Sequence, residues 1–211
     1  MNIALTIALL GAAVSVIGWV VTHILTSFAE RRLQRLIFQM EFTRQQLEEL
    51  YGPLAFLVWE GLQSYSDMKS SLDTHKVFHE GKVLSEEGFK TWLFWVEHEF
   101  LPHDTKIQKL LASKTHLVEG ETIPESFLAF LNYYNSWRVN HERWQKQGVE
   151  YGWKPKLHWP DTFDEEVLST FKMLKKRHAI LTGMVAENEN VFRSLQRRFR
   201  RETRINHIEG E

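Results

Sequence analysis

The chain has 211 residues, with 26 Lys and Arg against 27 Asp and Glu, and no cysteine. The lack of thiols excludes disulfides and thiolate metal centres, and a net charge of −1 leaves no global field to draw in nucleic acid. Eight Trp and fourteen Phe predict a core or interface built from large rings.

Residues Asn2 to Phe28 carry no charged side chain. A bilayer core needs about 20 mostly apolar helical residues, and this run supplies them. Arg31, Arg32 and Arg35 follow it and no basic residue precedes it. Basic flanks resist translocation, so the run is predicted to span a membrane once, with the N-terminus outside and the remaining chain in the cytoplasm. A cleaved secretory signal requires a basic start and a short apolar core, and Met1-Asn2 opens neither. A buried helix of a water-soluble protein rarely runs this long without a charge. Within the run Ala4, Ala8, Gly11, Ser15, Gly18 and Thr22 recur at spacings of four and three, which aligns them on one helix face. Small residues let two membrane helices approach closely, so this face predicts a homo-oligomer. Small residues are also common in spans that pack against nothing.

After the run, Leu33, Leu36, Met40, Thr43, Leu47 and Leu50 keep a helical rhythm. This juxtamembrane helix, residues 29–52, is expected to leave the membrane unbroken and to kink or end at Gly52-Pro53. A second helix over 54–72 would bury Phe56, Leu57, Trp59, Leu62, Tyr65 and Met68, and residues 73–84 read as a loop. Ser85 is placed as an N-cap. The helix it opens carries Phe89, Trp92, Leu93, Phe94, Trp95, Val96 and Phe100, apolar on most faces and therefore expected to be central, with Pro102 ending or bending it. A shorter helix follows over 104–117. Thr122 with Glu125, and Thr162 with Glu165, have capping-box spacing and are expected to open helices reaching about Gln147 and Arg201. The last one holds Val167, Phe171, Leu174, His178, Leu181, Val185, Asn188, Phe192, Leu195 and Phe199 in register, a bundle or coiled-coil seam. No segment reads convincingly as a strand. The expected fold is all-α: a transmembrane helix (1–28), a juxtamembrane helix (29–52), a cytoplasmic helical bundle (53–201) and a C-terminal tail (202–211).

Leu50-Tyr51-Gly52-Pro53-Leu54, Phe100-Leu101-Pro102, His116-Leu117-Val118-Glu119-Gly120 with Pro124, Trp144 and Pro160 follow one another in order. In this the chain resembles a group of uncharacterised bacterial proteins that have one N-terminal span, this turn element and an all-helical domain. The resemblance implies a bacterial origin and a membrane anchor, and it carries no catalytic residues.

Four groups of side chains are candidate sites. Arg197, Arg198, Arg200, Arg201 and Arg204, beside Arg193, form a basic cluster. If the last helix returns antiparallel to the helix from Ala29, the cluster would join Arg31, Arg32 and Arg35 in contact with anionic headgroups. A solvated helix end explains the same residues; the domain as a whole is not basic, which argues against nucleic acid. His178 and Asn188 are polar seam positions that would set register or, for the histidine, respond to pH. Trp137, Arg138, His141 and Trp144, with Arg143, Tyr133, Tyr151, Trp153 and Trp159 nearby in sequence, would line a ligand pocket, with core packing as the simpler reading. Glu97, Glu99, His103 and His141 lack the spacing of a metal motif, and no hydrolase, phosphate-binding or dinucleotide signature is present. No cofactor is implied.

The sequence therefore predicts a non-enzymatic, single-pass membrane protein whose helical domain is a homo-oligomeric interaction or assembly module, with a protein partner at that domain. The alternative is a signal-gated effector whose oligomeric spans perturb the membrane. A membrane-anchored hydrolase would need Glu99, His103 and His141 to converge.

Overall fold

In a computed structural model the described residues are all-helical apart from one minimal hairpin, and the last element is a long helix. The structure describes residues 3–73, 78–79, 82–83, 85–149 and 159–208; the side chains of 3–10, 12–15, 78–79, 82–83 and 195–208 fall outside this description. In order the elements are α1 (Ile3–Gln45), a π-helical segment π1 (Gln46–Tyr51) and α2 (Gly52–Ser71). The paired strands β1 (Phe78–His79) and β2 (Lys82–Val83) come next. They are followed by α3 (Glu86–Trp95), a second π segment π2 (Val96–Phe100) and α4 (Leu101–Ser113). A 3₁₀ turn (Thr115–Leu117), α5 (Glu125–Gln147) and α6 (Asp161–Ile208) complete the chain.

The chain divides into two compact units, Met1–Thr43 with Arg177–Glu211, and Arg44–Lys176. These boundaries differ from the expected succession of span, juxtamembrane helix, bundle and tail, because the second half of α6 groups with α1. The expected tail from residue 202 is helical through Ile208.

In the unit 44–176 the core joins π1 and α2 (Leu50, Tyr51, Leu54, Ala55, Val58) to α4 (Ile107, Leu111), α5 (Phe127, Phe130, Tyr133, Tyr134) and α6 (Phe163, Val167, Leu174). Phe130 stacks on Phe163 at 4.7 Å, and Trp159 meets both rings edge-on. Ser85 caps α3 by accepting the Gly88 N–H at 3.1 Å, as expected. Gly148 closes α5 in the left-handed conformation (φ 64°), where its N–H reaches the Trp144 carbonyl.

Other expectations are corrected. α3 is not central: none of its residues is buried, and Trp92, Trp95 and Phe89 pack with Phe100 on a small satellite cluster around Met68 and Leu72. On α2 the interior residues are Leu54, Ala55, Leu57, Val58 and Met68, while Phe56 is 63 % exposed and Trp59, Leu62 and Tyr65 also face outward. Neither capping box forms: α5 opens at Glu125 with Pro124 as its N-cap, and α6 opens at Asp161, so Glu125 and Glu165 are not at the third helical position. Residues 78–83 contain a two-rung antiparallel ladder, Phe78 opposite Val83 and His79 opposite Lys82.

In the other unit, α1 runs 43 residues without interruption from the uncharged run into its charged continuation. Its Thr43 is buried, and Leu33, Leu36 and Met40 are half-buried on one face. On α6, Leu181 and Val185 are buried, and His178, Asn188 and Phe192 are half-buried beside them. Among the described residues no helix is long and apolar enough to cross a membrane. The described side chains of the uncharged run are Gly11 and those from Val16 to Phe28, fewer than the ~20 residues a bilayer core requires. The side chains of Ala4, Ala8 and Ser15 lie outside the description.

Candidate functional site

The element Leu50-Tyr51-Gly52-Pro53-Leu54 does not end the helix. Gln45, Tyr51 and Gly52 all keep right-handed helical angles. The backbone slips by one residue instead, so the Gly52 N–H bonds the Leu47 carbonyl five residues back. Pro53 has no N–H to give and would clash with the preceding turn of a regular helix. The π turn takes up the extra residue, and Pro53 falls in the first turn of α2, where no donor is needed. Phe100-Leu101-Pro102 repeats the device: the Leu101 N–H bonds the Val96 carbonyl, and Pro102 lies in the first turn of α4.

π1 turns two polar side chains toward the segment after α4. Gln46 is buried, and its Nε2 donates to the Leu117 carbonyl (3.1 Å) and to Glu119 Oε2 (3.0 Å). The Glu119 N–H donates to the Tyr51 hydroxyl at 3.0 Å. At the rim Lys114 pairs with Glu49 at 2.6 Å and holds that carboxyl below its usual range. Burial pushes the Tyr51 phenol above its ordinary value. Gln46 Oε1 is buried without a hydrogen-bond partner. Two motifs some seventy residues apart, one around Tyr51 and one around Glu119, are thus locked together.

π2 makes polar contacts of its own. Glu97 Oε1 accepts from Gln145 Nε2 (2.6 Å) and stands 3.4 Å from His141 Nε2, and Glu99 accepts from the Ser64 hydroxyl (2.5 Å). Burial lowers the His141 imidazole, outweighing Glu97, which raises it. The next turn holds a buried pair. His103 Nε2 lies 2.7 Å from the Leu57 carbonyl, an acceptor only, so this nitrogen carries a proton. Its Nδ1 faces Asp104 Oδ1 at 3.5 Å. Burial would lower His103, but Asp104 and the Leu57 carbonyl prevail and raise it. Burial likewise raises Asp104 against the pull of His103. Gly61 makes room for the ring: a Cβ there would stand 2.8 Å from His103 Cε1. Near the start of α6, Trp159 Nε1 donates to Asp164 Oδ1 (3.1 Å), and burial lifts that carboxyl to about 6.

Among the described residues, those expected to line a pocket pack with one another or pair with neighbours: Tyr133 touches both Trp137 and Trp159. Trp137 packs against Trp92 and Tyr133, and its Nε1 is buried without a partner. Arg138 pairs with Glu142 at 3.0 Å and lies over the Tyr134 ring. His141 faces Glu97 and touches Trp144, and Arg143 turns to Gln147. Tyr151 and Trp153 lie outside the described residues. Glu99, His103 and His141 each have different partners, and among the described residues no group of three His, Asp or Glu is placed to hold a metal ion.

On the seam, Asn188 Nδ2 donates to the Met184 carbonyl of its own helix (2.7 Å). Arg31, Arg32 and Arg35 are exposed on α1, and Arg193 pairs with Glu189. The side chains of Arg197, Arg198, Arg200, Arg201 and Arg204 lie outside the description, with their backbone inside α6. Sequence reasoning passed over Gln46, Gly61 and Asp164. Only Gln46 gave a signal: it lies three residues after Thr43 and four before Leu50, a seam position filled by an amide. No protein-family model matches the chain, and no curated protein or solved structure is significantly similar to it.

Proposed function

We propose that the chain is a single-pass protein of the bacterial inner membrane, N-terminus outside, whose helical domain serves in the cytoplasm as a homo-oligomeric interaction or assembly module and catalyses no reaction. The observation that carries this reading is the surface of α1. Val16, Ile17, Trp19, Val20, Val21, Ile24, Leu25 and Phe28 are all exposed, Trp19 by 69 %. At 100° per residue they occupy about two thirds of the helix circumference. Together they expose on the order of 10³ Å² of apolar surface, beyond the few hundred Å² of a typical water-soluble monomer. Removing that much from water is worth roughly 20 kcal/mol. A partner on one side would cover one face, whereas hydrocarbon covers all of them. The remaining third of the circumference carries Gly11, Ser15, Gly18 and Thr22, the face on which a second span would pack. Arg31, Arg32 and Arg35 set the orientation, and headgroup contact by the arginines from 197 to 204 belongs to the same proposal. The likeness in motif order to single-span bacterial proteins with a helical domain supports it.

Fractionation tests the reading. The intact chain is expected in the membrane pellet after an alkaline carbonate wash and in solution only with detergent. Recovery of intact chain in the carbonate supernatant overturns it.

A second reading has one observation in its favour. The uncharged run and its charged continuation form one unbroken helix, α1, so a signal received at its charged end has a helical path toward the run. A signal-gated effector would depolarise cells on induction, dependent on Gly11 and Gly18; unchanged fluorescence of a potential-sensitive dye excludes it.

A further inference from the structure

Within the unit formed by Met1–Thr43 and Arg177–Glu211, α1 and α6 each carry a second helical seam that faces solvent. On α1 it is Phe28, Arg31, Arg35, Phe38 and Phe42, spaced alternately by three and four. Phe38 is 73 % exposed and Phe42 39 %, and both arginines are exposed. At 100° per residue this line lies about 140° around the helix from the half-buried Leu33, Leu36 and Met40. On α6 the second seam is Ile180, Met184, Glu187 and Val191, spaced four, three and four. Its apolar members are 50 %, 46 % and 57 % exposed, and Glu187 is exposed. It lies about 110° from the buried Leu181 and Val185. Both rhythms are those of a coiled-coil seam, and each runs along one uninterrupted helix.

Charge and register decide what covers these seams. Set antiparallel, they match layer by layer. Phe42 meets Ile180, Phe38 meets Met184, Arg35 meets Glu187, and the stem of Arg31 lies along Val191. Neither Arg35 nor Glu187 has an opposite charge three or four residues away on its own helix. The same seams set parallel would put Arg35 on Met184 and Glu187 on Phe38, two charges against apolar groups. Two α1 seams in parallel would stack arginine on arginine, and two α6 seams glutamate on glutamate. Both seams face outward in one chain, so the match is met by another copy. If each copy's α1 takes the other's α6, then Phe38, Phe42, Ile180, Met184 and Val191 are covered in both. They expose roughly 500 Å² per copy, close to the ~450 Å² apolar share of a standard interface of ~800 Å² per partner. Such two-fold contacts are the commonest way a chain binds its own kind. Past Val191, α6 turns basic at Arg193, Arg197 and Arg198, while α1 leads back into the uncharged run, so the match ends there.

We propose that these seams pair between copies, Arg31 to Phe42 on α1 of one copy with Ile180 to Val191 on α6 of the other, antiparallel. The proposal rests on the self-association in the function proposed above, and places a contact on the charged continuation of α1, apart from the small-residue face of the uncharged run.

The chain has no cysteine, so introduced ones report alone. Full-length Phe38→Cys and Met184→Cys copies, carrying tags of different size, are co-expressed and oxidised in mild detergent. A mixed disulfide dimer is expected. Phe42→Cys with Val191→Cys is expected to give none, because Val191 would stand opposite Arg31, ~16 Å along the helix from Phe42, far beyond the ~4.4–6.8 Å Cα separation of a disulfide. Arg35→Glu in the Phe38→Cys copy, with an unchanged circular dichroism spectrum, is expected to cut the mixed product at least several-fold. Glu187→Arg in the Met184→Cys copy is then expected to restore it. A dimer from Phe42→Cys with Val191→Cys overturns the orientation. A product indifferent to Arg35→Glu, or not restored by Glu187→Arg, overturns the charge layer. No cross-link in a chain that still sediments as an oligomer overturns this interface and leaves span-mediated association standing. A monomer in sedimentation overturns both.

Discussion

Replacing Gly52 with alanine separates two accounts of the same residue by the sign of their effect. In a regular helix, Gly→Ala stabilises by about 1 kcal/mol, because alanine loses less backbone freedom. In the π turn, a Cβ at position 52 would lie 2.5 Å from the Leu47 carbonyl oxygen and 3.9 Å from Phe171 Cε2. That oxygen must retreat by nearly 1 Å, and it is backbone. It also accepts the N–H of residue 52 itself, so moving it weakens the bond that defines the turn. Overpacking of this kind costs ~1–3 kcal/mol, and a lost hydrogen bond adds ~1 kcal/mol. After subtracting the helix-propensity gain, Gly52→Ala is expected to destabilise by about 2 kcal/mol. For a chain of this size that lowers Tm by ~4–8 °C. Gly183 is the control: it lies exposed inside α6 with nothing within 4 Å of its virtual Cβ. There alanine is expected to raise Tm by ~1–4 °C. The assay is thermal unfolding of the full-length chain in mild detergent, followed by far-ultraviolet circular dichroism. If Gly52→Ala stabilises as Gly183→Ala does, the π turn is not what demands glycine, and the account of this motif is wrong.

Three further outcomes follow from the unit 44–176. Gly61→Ala pushes a methyl against His103, 2.8 Å from its Cε1, and is expected to cost ~2 kcal/mol; combined with His103→Ala most of that cost should vanish, and strict additivity in urea unfolding would refute the contact. Asp164 is held at about 6 by burial, above its ordinary value of 3.8, so the folded state binds its proton more tightly than the unfolded chain does. Stability is therefore expected to fall as pH rises from about 4 to about 6, and Asp164→Asn to flatten that segment; an unaltered slope across this window counts against the assignment. His103, raised above 6.5, contributes stability that is full below that value and lost as pH rises through its folded pKa, a separate and higher window. Tyr51→Phe removes the acceptor of the Glu119 N–H and is expected to cost ~1 kcal/mol. Hydrogen exchange at Glu119 should accelerate, and unchanged protection there would show that the hydroxyl does not hold the segment.

What could be read from the residues was what periodicity and single-residue caps encode. The α6 seam was legible because Val167, Leu174, Leu181 and Val185 recur at helical spacing. Ser85 was legible because a hydroxyl just before an apolar run marks a start. The outward face of α2 was misread for a reason visible in hindsight. Phe56, Trp59, Leu62 and Tyr65 are spaced by three throughout, which drifts about 60° per step around a helix. Such a ridge cannot stay on one buried face, and the 3.6-residue pattern of Leu50, Leu54, Leu57, Val58 and Met68 was the true interior. The capping boxes failed because their spacing constrains two residues while the start of α5 is decided by a third, Pro124, whose extended conformation (φ −56°, ψ 142°) ends the preceding segment. The candidate site was legible only in halves. Nothing in Leu50-Tyr51-Gly52-Pro53-Leu54 announces Glu119, since the contact depends on where α4 returns the chain.

The two prolines explain why polar contacts cluster where they do. Each follows a π turn by two positions, and each turn shifts the helical register by one residue, about 100° of rotation for everything beyond it. Without the shift, Pro53 would crowd the Glu49 carbonyl and Pro102 that of His98. With it, both helices continue, and the side chains inside the turn leave the regular stripe. Side chains of both turns reach distant segments: Gln46 and Tyr51 to Leu117 and Glu119, Glu97 to His141 and Gln145, Glu99 to Ser64. A sharp bend at either proline would have ended the helix and carried these groups elsewhere. A regular helix would have kept Gln46 in step with Thr43 and Leu50, without the local slip at which it meets the Leu117 carbonyl. The π turn satisfies both demands, continuity and cross-bracing, and glycine at 52 is the residue that its closest backbone approach allows.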